Sequence, residues 1–87
     1  MKSISGKDFA KVLERNGWVL LRVQGSHHIY GKSGVSDRIS VPIHSNKSLK
    51  TGLLRHFLRV ARLSEDFQPL EEDENSGSTG LTQDRYG

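Results

Sequence analysis

The 87-residue chain has the length of one small domain with a marginal core, in which few buried side chains are dispensable. It has no cysteine, which excludes a disulfide framework and a thiolate metal site. Its net charge is +3, and no apolar run is long enough for a signal peptide or a membrane span, so a soluble cytoplasmic protein is expected.

Ser5-Gly6-Lys7-Asp8 has the Ser-x-x-acid form of a helix start, and its carboxylate suits the positive end of a helix. Phe9, Val12 and Leu13 follow at helical spacing with Ala10 alongside, and Asn16-Gly17 supplies a left-handed stop. A first helix is predicted from Ser5 to Arg15. Trp18-Val19-Leu20-Leu21-Arg22-Val23 is short, β-branched and apolar on both parities, which predicts a strand covered on part of both faces. Gln24-Gly25-Ser26 breaks it, and His27-His28-Ile29-Tyr30 resumes the extended pattern. Gly31-Lys32-Ser33-Gly34 is a turn cluster. Arg38-Ile39-Ser40-Val41-Pro42-Ile43 alternates with period two, and Pro42 sets this third strand at a sheet edge or marks its end.

His44-Ser45-Asn46-Lys47-Ser48 is a polar connection rich in helix-capping residues. Leu49, Leu53, Phe57, Val60 and Ala61 then share a helical stripe, widened by Leu54 and Leu58, and predict a second helix ending near Leu63. The charge is divided. Residues 1–63 carry twelve Lys and Arg against three acids, a net +9, whereas residues 64–87 carry one Arg against seven acids, a net −6. A folded part this basic attracts polyanions, nucleic acid first, although a solvated basic surface is the plain alternative. The division predicts a domain over 1–64 and an acidic, disordered tail over 65–87, in which Phe67 and Leu70 can still pack locally. The expected fold is α+β, in the order α-β-β-β-α, with a three-stranded antiparallel sheet and two helices on one face.

Gly25-Ser26-His27-His28-Ile29-Tyr30 and Val41-Pro42-Ile43-His44, between a helix ending in Gly17-Trp18 and a leucine-rich helix with Leu53-Leu54-Arg55-His56-Phe57-Leu58, resemble the HicA toxin family. The resemblance covers about residues 3–64 and departs in Ser48-Leu49-Lys50-Thr51-Gly52, which lacks the proline often found before the second helix. It implies a fold similar to a double-stranded RNA-binding domain, an mRNA-cleaving endoribonuclease toxin, a HicB-like antitoxin as partner, and a catalytic role for the histidine directly after Gly-Ser, which is His27; separately, no cofactor is expected.

The residues themselves suit metal-independent RNA cleavage, in which a ribose 2′-OH attacks the adjacent phosphate. An imidazole serves the proton transfers near neutral pH. Backbone N–H groups around Gly25 and Ser26 can hold a phosphate oxygen, and Lys47 and Lys50 stand where the second helix begins, an end that attracts phosphate. A hairpin turning between Gly34 and Val35 sets His27 opposite Pro42 and Gly25 opposite His44, so that His27 and His44 become diagonal neighbours; a one-residue slip undoes this. His28 and Tyr30 share the other face and can stack on a base.

Each residue also has a plainer role. His27 taken alone is a strand histidine making structural hydrogen bonds, and His44 can cap or orient the second helix. His56 is a structural or surface residue, and Trp18 is core. Ser26 has no Asp-His pattern for a triad, and His27, His28 and His44 have no carboxylate or cysteine to complete a zinc site. The competing functions are a non-catalytic RNA-binding module and an inactive toxin that only binds its antitoxin.

Overall fold

The computed structural model describes residues 2–70 of the chain. Helix α1 (Gly6–Arg15) is followed by three strands, β1 (Val19–Gln24), β2 (His27–Lys32) and β3 (Val35–Pro42), and by helix α2 (Thr51–Ala61). The Ser5 hydroxyl accepts the Asp8 N–H at 3.1 Å, which caps α1 as its sequence predicts. Asn16 N–H bonds the Leu13 carbonyl at 2.9 Å, and Gly17, at φ +89°, turns the chain into β1.

The strands form one antiparallel sheet in the order β1-β2-β3. Tyr30 lies opposite Ile39 and His28 opposite Val41, so these four side chains project to one face. Tyr30, Ile39 and Val41 are buried there with Phe9, Leu13, Leu54, Phe57 and Leu58. Both helices therefore cover that face. They also meet each other, since the Phe9 and Phe57 rings stack with centroids 5.7 Å apart. Pro42 ends β3, which is a sheet edge.

Several local expectations are corrected. All six residues of β1 are exposed, although the strand is apolar on both parities. It is an edge strand, and the buried sheet side chains come from β2 and β3. The second helix starts at Thr51, two residues after Leu49, the first residue of its expected stripe. Its N-cap is Lys50, and no side chain caps it. Leu49 is buried but precedes the helix, held by its N–H to the Ile4 carbonyl at 2.8 Å. Leu54 and Leu58 are core, as a wide apolar face predicts, whereas Leu53, expected on the same stripe, is exposed. The β2–β3 hairpin turns at Ser33-Gly34, and a register shift between Tyr30 and Lys32 follows.

The N-terminus of α1 abuts the end of β3. A Cβ on Gly6 would run into the Pro42 carbonyl oxygen, so only glycine fits there without movement. Past α2, Arg62 takes a left-handed φ of +57° and the chain folds back, with Leu63 bridging Pro69 and Phe67 packing edge-on to Phe9 at 6.4 Å. Described structure thus continues past Ser64 to Leu70, with Phe67 packed locally. The rest of the acidic tail, residues 71–87, lies outside the described residues.

Candidate nucleic-acid interface

The interface is built on the two-residue turn between β1 and β2. Gln24 pairs with His27, which leaves Gly25 and Ser26 as the turn residues. Gly25 sits at φ +57° in the first turn position, as a type II′ hairpin turn requires. A Cβ on Gly25 would meet nothing within 4 Å, so the glycine serves backbone conformation and not close packing. The Ser26 carbonyl accepts the Ile43 N–H at 2.7 Å, which ties this turn to the chain leaving β3.

His27 is the first residue of β2, exposed, and paired with Pro42 as the hairpin count predicts. Directly opposed residues project to the same side, so His27 and Pro42 share the sheet face that the helices leave open. Pro42 also lines a groove of ≈ 310 Å³ with His44, Lys47, Ser48, Leu49, Lys50 and Leu53. His44, Lys47 and Lys50 are exposed, and the His44 carbonyl accepts the Lys47 N–H at 2.9 Å. Ser45 holds φ +52°, an uncommon conformation for serine, in the bend between them. The groove reaches the start of α2, where no side chain caps the backbone and no acid stands in the first turn. The positive end of that helix adds to the two lysines.

The fold therefore brings together Gly25, Ser26 and His27 at the turn, and His44, Lys47 and Lys50 at the groove, joined through Pro42 and the Ser26–Ile43 hydrogen bond. It separates His28 and Tyr30 from them. His28 is half-buried on the helix-covered face. Tyr30 is 1 % exposed, and its hydroxyl donates to Glu14 Oε2 at 2.9 Å. Burial, and then the hydrogen bond and charge of Glu14, push its pKa up to about 12. This burial leaves Tyr30 no ring face for a base, which corrects its expected role. Sequence reasoning also missed Pro42 and Leu53 as groove walls. The pairing count already placed Pro42 opposite His27, whereas Leu53 differs from the true core only by its place on the helix wheel.

Among the described residues, no three His, Cys, Asp or Glu side chains gather as a metal-ligand set. No helix among them is long and apolar enough to cross a membrane.

A family model described as HicA toxin of bacterial toxin-antitoxin matches residues 6–63 of the 87. The chain belongs to the HicA toxin family. The HicA match starts at the first residue of α1 and ends just past α2, so it includes the whole turn and groove. Comparison with curated proteins returns no match. As a HicA protein, the chain is a toxin of a toxin-antitoxin system, and an antitoxin is its implied partner. The loop over residues 64–70 lies beyond the match.

Proposed function

We propose that this HicA protein is a cytoplasmic endoribonuclease that cleaves mRNA without a metal, with His27 as the proton-transfer residue, and that a HicB-like antitoxin restrains it. One observation carries this: an exposed histidine beside a glycine turn, tied by backbone pairing and a hydrogen bond to a groove holding His44, Lys47 and Lys50. His27 takes the proton from a ribose 2′-OH as that oxygen attacks the adjacent phosphorus. The bond from phosphorus to the 5′ oxygen breaks, the leaving oxygen takes a proton from solvent water, and His27 returns its own proton to solvent to complete the cycle. The N–H groups around Gly25 and Ser26, the two lysines and the start of α2 hold the phosphate oxygens as charge builds on them. His44 contacts the RNA from the groove. His28, on the opposite face, supports the strand more than the chemistry.

Acid–base help of this kind contributes roughly 10²–10⁴-fold, enough for a slow toxin. The products test the mechanism. Purified protein incubated with mRNA and a chelator is expected to leave 2′,3′-cyclic phosphate and 5′-hydroxyl ends. Ends with 5′-phosphate and 3′-hydroxyl, or no cleavage under conditions where RNA binds, contradict it.

A further inference from the structure

We propose that the outer edge of β1 is the docking surface for the antitoxin, which lays an apolar, acidic segment along Val19–Gln24. The occupant follows from membership of a toxin-antitoxin family together with the protein antitoxin proposed above, and it is independent of whether His27 cuts RNA. One edge of β1 pairs with β2, and among the described residues no strand pairs with the other. Four of the six large apolar side chains exposed among the described residues lie on this one strand: Val19, Leu20, Leu21 and Val23. Soluble sheets usually blunt such an edge with lysine, proline or a covering element. β1 has no lysine and no proline. A register shift lies between Leu20 and Arg22, and Arg22–Gln24 remains regularly paired beyond it, leaving a short regular edge for an added strand.

Charge selects the occupant. Residues 1–63 carry twelve bases against three acids, and Arg22 sits in the middle of the edge. A second copy pairing two-fold on this strand brings Arg22 close to its own counterpart, which like charges oppose. An acidic partner places a carboxylate there instead. RNA has the right charge, but the strand offers it aliphatic side chains and no aromatic ring to stack on. The position also has a consequence. Gln24 is the pairing partner of His27, so a segment bound along β1 ends beside the turn.

The test uses the full chain and its cognate antitoxin, co-expressed and then separated for titration, with Val23→Glu and Arg22→Glu variants checked by thermal melting. Val23 is 52 % exposed, so its replacement leaves the core intact. Each variant is expected to bind the antitoxin about 30-fold more weakly, the scale of one interface hot spot. Amide hydrogen exchange over residues 19–24 of the wild type is expected to slow in the complex, a readout that holds even where a variant fails to fold. Affinities within about threefold of the wild type, or unchanged exchange over 19–24, overturn the assignment. So does a wild-type dimer that Val23→Glu dissociates, or a loss of RNA binding with antitoxin binding intact. RNA cleavage by the free variants is measured separately, so failure at this surface and failure of the ribonuclease chemistry are told apart.

Discussion

At the scale of single residues, the alternation His27-His28-Ile29-Tyr30 showed that the two histidines face apart, but not which face the helices would cover. They cover the His28 and Tyr30 side, which turns Tyr30 from a base-stacking candidate into a core residue bonded to Glu14. The consequence is measurable. The fold raises the Tyr30 pKa from 10.0 to about 12, so it favours the neutral phenol. That contribution is complete below pH 10 and is lost as pH rises through 12. Tyr30→Phe is expected to cost about 1 kcal/mol at pH 7, since one partly exposed hydrogen bond is lost. It is also expected to flatten the decline in stability between pH 10 and 12, measured by urea unfolding at each pH. An equally steep decline in Tyr30→Phe places the alkaline titration elsewhere.

At the scale of elements, α1 was legible because cap, apolar stripe and stop all agreed. The pairing of His27 with Pro42 was also legible, yet by compensation: the turn lies at Ser33-Gly34, and the register shift beyond it restores the same partners. Bulges leave little trace in an alternating pattern, so a count across a hairpin cannot locate them. β1 was misread because apolar content alone does not separate a strand covered by core from an exposed edge strand. The stripe of α2 was begun two residues early because Leu49 is apolar and in phase with it, yet its N–H is held by the Ile4 carbonyl ahead of the helix. The junction of α1 with β3 supports its own prediction. Alanine at a helix start ordinarily gains up to about 1 kcal/mol over glycine. At position 6 the added carbon meets the Pro42 backbone, and overpacking costs about 1–3 kcal/mol. Gly6→Ala is therefore expected to lower the melting temperature and, by moving Pro42, to reduce activity; a more stable variant contradicts the packing.

At the scale of the whole molecule, the basic domain is proposed to take a polyanion at its exposed turn and groove. Binding to single-stranded RNA is expected to weaken with salt, with a logarithmic slope of about −0.7 per phosphate contact. Replacing Lys47 and Lys50 together by alanine is expected to reduce that slope by about 1.4. An unchanged slope removes the groove from the RNA path. The central claim is that His27 moves the proton, and the most direct measurement is RNA cleavage with chelator present by wild type, His27→Ala and His28→Ala, matched for thermal stability. His27→Ala is expected to lose about 10²–10⁴-fold in rate, with His28→Ala losing far less. Equal cleavage by His27→Ala and the wild type, or a loss confined to His28→Ala, contradicts it.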